Sequence, residues 1–231
     1  MDFIVNGFFQ AFLLLFGGDA ETYSAIFTTL SVSTISISAS LIIGAPLGFM
    51  LGYHDFYGKK FLRTVVDSLL SFPTVVIGLL VYALLSHRGP LGEMELLFTI
   101  PGIAFGQALL GLPIVIAMMA TAVENLDQRL KNTLLTLGAG RSHILRTTLW
   151  EARYSLVLAA AAAYGRIVSE IGISMMVGGN IKWHTRTITT AIALETGKGE
   201  FAMGIALGIV LMIVAFAVNF SMSGIKKRAG K

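Results

Sequence analysis

The sequence contains no cysteine and very little charge: acidic and basic residues make up 13% of its 231 residues, while 55% are hydrophobic. An ordinary soluble domain carries charge at about a quarter of its positions. The absence of cysteine excludes disulfides and thiol catalysis. No GxxxxGK(S/T) loop, GxSxG elbow or HExxH pair is present, so the sequence predicts neither ATP binding through a phosphate loop nor these hydrolase chemistries. The four histidines share no helical spacing, and we predict no metal site.

The few charged residues leave long stretches free of them. Four stretches contain no Asp, Glu, Lys or Arg, and a further apolar block is interrupted only by Arg166 and Glu170. In chain order the five are 22–54, 68–87, 96–123, 154–177 and 201–225. Each reaches the roughly 20 residues that a helix needs to cross about 30 Å of hydrocarbon. Because backbone groups in lipid must be hydrogen-bonded internally, we predict an all-α membrane protein with about five transmembrane helices.

The basic residues predict the orientation of these helices. Three, five and four of them follow the first, third and fifth stretches, whereas the loop after the second carries only Arg88 and the loop after the fourth carries Lys182, Arg186 and Lys198. The positive-inside rule therefore places the N-terminus outside and the C-terminus, with the basic tail 226–231, in the cytoplasm. The net charge of +4 is explained by this loop pattern and by anionic lipid, and it gives no sign of nucleic-acid binding.

Residues 1–22 are predicted to form an external tail. Within it, segment 3–16 is apolar but only about 14 residues long, which favours a short interfacial helix on the outer membrane surface. A sixth span is the alternative, and it would bring Asp2 to the cytoplasmic side without a basic flank. The other predicted segments are the transmembrane domain, its cytoplasmic loop and its external loop: 23–225, 124–153 and 178–200.

Three glycines recur every four residues in the first span: Gly44, Gly48 and Gly52. Such a face lets a second helix approach closely, and close packing is a main source of attraction between helices in lipid. Simple helix packing and a moving helix contact both fit this pattern.

Arg166 and Glu170 are ionisable residues within a predicted span. On a continuous helix they would lie one turn apart on one face, and either alone at the bilayer centre would cost roughly 2.5–3.5 kcal/mol. One interpretation is a mutually satisfied structural ion pair. The other is that Arg166 lends positive potential to a path for an anion. Together with Ser169 and Asn180, these residues are the candidate translocation path or gate.

The external loop begins with Lys182, His184 and Arg186 close together. An ordinary solvated loop and a docking or gating surface exposed to an anion both fit this composition. The following segment TRTITTAIALE has helical character, which predicts a short re-entrant or surface helix.

The cytoplasmic loop contains an apolar and basic segment that is interrupted by the sequence GAG at 138–140. Glycine is poor inside a helix and favourable in a left-handed turn, so we predict a turn at Gly138. A second short helix then starts with Ser142 as its N-cap. Such a helix fits either a groove of a partner protein or a surface of anionic lipid. Its polar side carries Arg141, His143 and Arg146.

The segments LGAGRSHILR and EARYSLVLAAAAAYGRIVSEIGISMMVGGN resemble the signature region of ATP-binding-cassette (ABC) importer permeases. Gly138 matches the glycine of that motif. Asn-Thr-Leu at 132–134 stands in place of the family's Glu-Ala-Ala, and Trp150 stands where the motif's proline follows Leu149. SEIGISMMVGGN is similar to the molybdate, tungstate and sulfate branch of the family. GGNIKWHTRTITTAIALETGKGEFA most resembles the tungstate-specific permeases.

This resemblance, which extends over roughly residues 20–225, implies the type I ABC importer permease fold and a location in a prokaryotic cytoplasmic (inner) membrane. It implies a homodimer of this chain that works with two cytoplasmic ABC ATPase subunits and an external solute-binding protein. ATP and Mg would bind to the ATPase, so this chain would supply no catalytic residue and bind no cofactor. The residues expected to couple it to the ATPase are Leu137, Gly138, Ala139, Arg141, His143, Ile144 and Arg146.

The function that the resemblance implies is import of an oxyanion, most of all tungstate, by alternating access driven by the partner ATPase. Molybdate or sulfate is the alternative substrate. A membrane scaffold that recruits a cytoplasmic partner is the alternative from another class, and it would bind that partner without changing its ATP turnover.

Overall fold

The computed structural model describes residues 2–126, 133–134 and 136–229, which contain helices and no strand. The basic tail predicted at 226–231 extends beyond them, and so does part of the cytoplasmic loop. Apart from a 3-10 turn at Gly92–Met94, the elements are α1 (Asp2–Phe16), α2 (Ala20–Tyr53), α3 (Lys59–Leu69), α4 (Thr74–Leu85), α5 (Ile100–Glu124), α6 (Arg141–Glu151), α7 (Arg153–Val168), α8 (Gly172–Gly178), α9 (Ile188–Gly197) and α10 (Phe201–Ala229).

The described helices confirm an all-α membrane protein but correct the prediction of continuous spans. Three helices, α2, α5 and α10, are long and apolar enough to cross a membrane alone. The other two predicted spans are each broken: α3 and α4 meet at 97°, and α7 and α8 meet at 61°. Counting each bent pair as one span gives the predicted five. The orientation of the termini stays a prediction.

The break between α3 and α4 follows from Pro73, which is the N-cap of α4. Proline has no N–H to donate, and it disfavours helical geometry at the residue before it. Because α4 has 12 residues, it is roughly 18 Å long at about 1.5 Å per residue. It is therefore shorter than the hydrocarbon layer that a complete span crosses.

α2 and α5 form the centre of the bundle and pack along much of their length. The glycines at 44, 48 and 52 all lie against α5. A Cβ atom added to Gly48 would lie 2.6 Å from the Ile116 carbonyl oxygen, and one added to Gly52 would lie 2.6 Å from that of Ala120. Backbone and side chain of α5 thus occupy the space that larger residues would need, and the two helices depend on these small residues to approach.

Replacing Gly48 by alanine should destabilise the folded chain by about 1–3 kcal/mol, the usual cost of inserting a methyl group into a packed core. The added methyl would clash with the backbone of α5. Because neither helix can bend locally to avoid it, the two helices must move apart. The thermal midpoint of the purified protein in detergent should fall. Gly208→Ala is the matched control because a Cβ at Gly208 meets no atom within 4 Å. Equal midpoints for the two variants would contradict the close packing.

α1 packs against α10 through its small residues. A Cβ added to Gly7 would lie 2.6 Å from Cγ2 of Ile205, and Ala11 is buried. A tight turn at Gly18, with φ +72°, then leads into α2. The other side of α1 exposes a group of aromatic side chains: Phe8, Phe9, Phe12 and Phe16. The location of α1 on the outer membrane surface stays a prediction.

The two ends of the bundle differ in their contacts. One is marked by a buried cluster of Phe49, Met119, Val123 and Ala152, which joins the ends of α2 and α5 to the start of α7. We call it the coupling end because α6 lies there. The opposite end, where Glu21 at the start of α2 meets the loop after α8, is called the far end.

Candidate functional sites: the coupling helix and the membrane path

The predicted turn at Gly138 is present. Gly138 has φ +72°, in the left-handed region, where glycine carries no steric penalty. The Ala139 N–H donates to the Leu134 carbonyl at 2.9 Å, and the Leu137 N–H donates to the Thr133 carbonyl at 3.0 Å. These bonds close the turn and leave the Leu137 side chain 77% exposed.

α6 starts two residues earlier than the sequence suggested. Its N-cap is Gly140, with no side-chain cap bond, and Ser142 lies inside the first turn. Ser142 as N-cap was therefore wrong, because the extended backbone at Gly140 already starts the helix. The side chain of Arg141 lies outside the described residues.

α6 has one face toward the bundle and one face outward. Ile144 is 4% exposed and Thr148 is also buried, while Leu145 packs on the cluster at the coupling end. His143 and Arg146 are exposed on the other side, together with Trp150. Ile144, which the resemblance grouped with the coupling residues, is therefore buried against the bundle, and its role in coupling stays a prediction. The outward surface is basic and aromatic.

Replacing Gly138 by valine should impair the turn before α6, because a β-branched residue resists positive φ. No heavy atom lies within 4 Å of a Cβ added there, so the effect should come from the backbone and not from a clash. Strain of this kind costs about 1–3 kcal/mol. We therefore expect a several-fold loss of coupling, measured as ATP hydrolysis by the ATPase subunit that the resemblance implies. Gly140→Ala, equally open and with negative φ, is the control and should retain activity. If both variants behave alike, the turn does not need its left-handed residue.

Arg166 and Glu170 do not form the helical ion pair that their spacing suggested. α7 ends at Val168, so Glu170 lies beyond the helix, and the ion pairs within the described residues do not join the two side chains. The spacing argument required a continuous helix. Instead, Glu170 is 2% exposed and accepts the Ile173 N–H at 3.2 Å, which satisfies a donor of the first turn of α8.

Arg166 lies on an outward face of α7 that carries small residues. Leu158, Ala162, Gly165 and Ser169 are exposed along the same helix side, and no atom lies within 4 Å of a Cβ added to Gly165. The Ser169 hydroxyl donates to the Gly165 and Arg166 carbonyls, each at 3.1 Å. A charged side chain in a span is costly in lipid, so this face requires protein or water beside it.

A chain of buried polar groups crosses the bundle next to the α7–α8 break. The Ser36 hydroxyl donates to the Ala104 carbonyl at 3.1 Å, and the Gln107 amide donates to the Ser174 hydroxyl at 3.0 Å. Ser174 and Thr189 both donate to the Glu170 carbonyl. The two bonds to Glu170 satisfy a backbone carbonyl that the break frees within the membrane. Gln107 was missed by sequence reasoning, although an isolated amide in an apolar block signals a buried polar contact.

The two broken spans meet close to their breaks. A Cβ added to Gly172, at the start of α8, would lie 3.4 Å from the Cα of Val75, near the start of α4. One added to Gly78 would lie 3.2 Å from the Cα of Ile173. The backbones therefore touch where both helices begin. Half-helices of this kind mark binding or gating regions in many transporters.

The loop after α8 is ordered at the far end. Thr185, fully buried, donates to the Gly178 carbonyl at 2.5 Å and accepts the Ile181 N–H at 3.1 Å. Asn180 has φ 53° and accepts a bond from Arg186 at 3.2 Å. Arg186 also pairs with Glu21 of α2, whose other oxygen lies 2.6 Å from Nζ of Lys182.

Asn180 therefore lies at the far end, apart from the coupling face of α6, and His184 is exposed beside it. The arrangement fixes the loop to α2 through opposite charges. No group of three or more metal-ligating side chains occurs in the part of the chain that the structure describes.

Comparisons with known proteins define the class. Residues 44–231 match the model of the family described as binding-protein-dependent transport system inner membrane component. The chain is 51% identical to the tungstate uptake system permease protein of Campylobacter jejuni over 98% of this chain and 95% of that one. It is 37% identical to the tungstate uptake permease of Peptoclostridium acidaminophilum, covering 95% and 96% of the two chains.

Solved structures support the same fold. A bacterial ABC transporter that imports alginate has a TM-score of 0.76 at 21% identity, covering 96% of this chain and 84% of that one. A methionine ABC transporter in an inward-facing conformation has a TM-score of 0.72 at 19% identity, covering 90% and 96%.

The broken helical bundle, with a short exposed helix after a left-handed turn, is the fold of type I ABC importer permeases. The chain belongs to the family of inner-membrane components of binding-protein-dependent transport systems. It is accordingly a multi-pass protein of the cytoplasmic membrane.

Proposed function

We propose that this chain is the permease subunit of a tungstate importer. The observation that carries the proposal is 51% identity, over 98% of the chain, to a tungstate uptake permease. The molybdenum permease of Escherichia coli is 27% identical, and the sulfate permease of the same organism is 26% identical. The higher sequence identity to the tungstate permease favours tungstate over the two other oxyanions.

The outward face of α6 is the surface that the partner ATPase contacts. It joins the exposed Leu137, His143, Arg146 and Trp150, and an exposed basic and aromatic helix suits insertion into a groove of another protein. Two ATPase subunits would bind the two copies of a homodimer. ATP and Mg belong to those subunits, and this chain takes part in no bond-breaking step.

The outward face of α7 lines the path between the two copies. Arg166 cannot face hydrocarbon without a cost of roughly 2.5–3.5 kcal/mol, whereas a second subunit or a water-filled path accommodates it. One cation per copy attracts a dianion without holding it, and transit requires weak binding. We therefore assign selectivity mainly to the external solute-binding protein, which docks at the far end.

The permease alternates between two states. ATP binding draws the ATPase subunits together, moves α6 and opens the path outward, so that the binding protein releases its anion. Hydrolysis returns the dimer to the inward-open state. In this cycle the ATPase acts by preferring one permease conformation.

The test uses the complex of this chain, its matched ATPase and its binding protein in proteoliposomes. Tungstate-loaded binding protein should stimulate ATP hydrolysis and drive uptake of tungstate, and excess molybdate or sulfate should compete weakly. Equal uptake of molybdate or sulfate would overturn the substrate assignment. A stable complex whose ATP turnover ignores the loaded binding protein would identify a scaffold and overturn the transport function.

A further inference from the structure

α6 and α7 are joined by a junction of one residue, which we call the elbow. Ala152 alone separates the two helices. It is 1% exposed and packs with Phe49, Met119 and Val123. Its N–H donates to the Thr148 carbonyl at 3.0 Å, and its carbonyl accepts the Leu156 N–H at 3.1 Å. The pivot is therefore fixed to the bundle.

The guanidinium of Arg153 braces this elbow from outside. Its carbon lies 4.4 Å from the ring centroid of Trp150, in the last turn of α6, and 4.1 Å from that of Tyr154, in the first turn of α7. Both distances are within the range of cation–π attraction. Its nitrogens also donate to the Trp150 carbonyl and, at 2.8 Å, to the Tyr154 hydroxyl. One planar group thus binds both helices.

The brace matters because α6 has few other attachments. Among the described helices its main contact is with α7, and on the bundle side it is held by Ile144, Leu145 and Thr148. A force applied to the outward face would turn α6 about Ala152 unless the elbow were stiff.

We propose that Arg153 is a positioning residue that holds α6 at a fixed angle to α7, so that movement of the ATPase reaches the path instead of bending the elbow. This inference rests on the proposed function of α6 as the ATPase contact. Arg153 acts through Trp150 and Tyr154, and it touches neither nucleotide nor transported anion. A planar guanidinium is required, because lysine supplies the charge on a single nitrogen and cannot lie flat against two rings while separate nitrogens donate to separate acceptors.

The functional test compares Arg153→Ala, Arg153→Lys and wild type in the reconstituted complex. Arg153→Ala should keep the ATPase bound and its basal hydrolysis unchanged, but stimulation by loaded binding protein and uptake should fall about fivefold to twentyfold. Arg153→Lys should recover only part of the loss. Lys60→Ala, which removes an exposed cation from α3 at the same end of the bundle as Arg153, is the matched control and should behave as wild type.

The structural test measures the angle itself. The chain has no cysteine, so cysteines introduced at Ser142 of α6 and Lys60 of α3, both exposed, can be spin-labelled selectively. With labelled chain diluted in unlabelled chain, the distance distribution should be narrow in the parent and clearly broader with Arg153→Ala.

Each outcome decides between the hypotheses. An unchanged distribution, or uptake within twofold of wild type in Arg153→Ala, would overturn the brace while leaving the proposed function intact. Loss of the ATPase from the Arg153→Ala complex would overturn it too, because Arg153 would then serve attachment. Failure of the wild-type complex to respond to loaded binding protein would instead overturn the proposed function.

Discussion

Replacing Arg166 by alanine should abolish most anion uptake while the complex still assembles. Arg166 is exposed on the outward face of α7, and none of the ion pairs within the described residues holds it. Its removal therefore costs little in packing. Hydrogen bonds to charged groups contribute about 1.5–3 kcal/mol, so loss of the Arg166 cation from the face that we propose lines the path should lower uptake by roughly tenfold to a hundredfold.

The measurement is the initial rate of tungstate uptake by proteoliposomes, with size-exclusion chromatography as the check on assembly. Arg166→Lys is the matched control, since it keeps the charge and loses the planar fork, and it should give an intermediate rate. Wild-type transport by an assembled Arg166→Ala complex would rule out a role for Arg166 in the path. Failure of that variant to assemble would give Arg166 a structural role at the contact between copies.

Reversing the charge of Arg146 to glutamate should uncouple the permease from its ATPase. Arg146 lies on the outward face of α6, one turn after His143 and one turn before Trp150, and interface arginines are often energetic centres. Truncating a buried charged contact costs about 2–5 kcal/mol, so stimulated hydrolysis and uptake should both fall at least tenfold. Because Arg146 is far from the buried side of α6, the thermal midpoint of the permease should stay near that of wild type.

Lys60→Glu provides the matched control for this variant. Lys60 is exposed on α3, close to the salt bridge of Lys59 with Glu124 at the end of α5, so it carries the same charge at the same end of the bundle. It should retain coupling if α6 makes the decisive contact. Full stimulation with Arg146→Glu, or equal losses in both variants, would count against α6 as the docking helix.

The sequence predicted the number of spans but not their interruptions. Stretches with little or no charge indicate the length of an apolar segment, and both 68–87 and 154–177, the latter interrupted only by Arg166 and Glu170, are long enough. The direction of the helices within each span depends on other features. Pro73 is the N-cap of a new helix, α4, and the Glu170 side chain accepts the Ile173 N–H in the first turn of α8. The same break explains why the spacing of Arg166 and Glu170 misled, since a helical spacing holds only while the helix continues.

The coupling region was predicted better than the contacts around it. The left-handed turn follows from glycine chemistry, and Gly138 shows it. The direction of Ile144 could not be derived from a short helix in which apolar and basic residues alternate irregularly. In the sequence Trp150 was noted only as a departure from a motif, and its stacking with Arg153, three residues later, was not predicted from that spacing.

The brevity of α4 has a consequence for the surrounding lipid. A rod of roughly 18 Å leaves part of one leaflet uncovered, and α3 turns away at 97° with Phe61, Leu62 and Val65 exposed. Acyl chains beside this pair must shorten or tilt to meet the apolar surface, at a modest elastic cost for each ångström of mismatch. We therefore expect the bilayer to be thinner beside α3 and α4, so that a movement of these two helices also changes the elastic energy of the lipid.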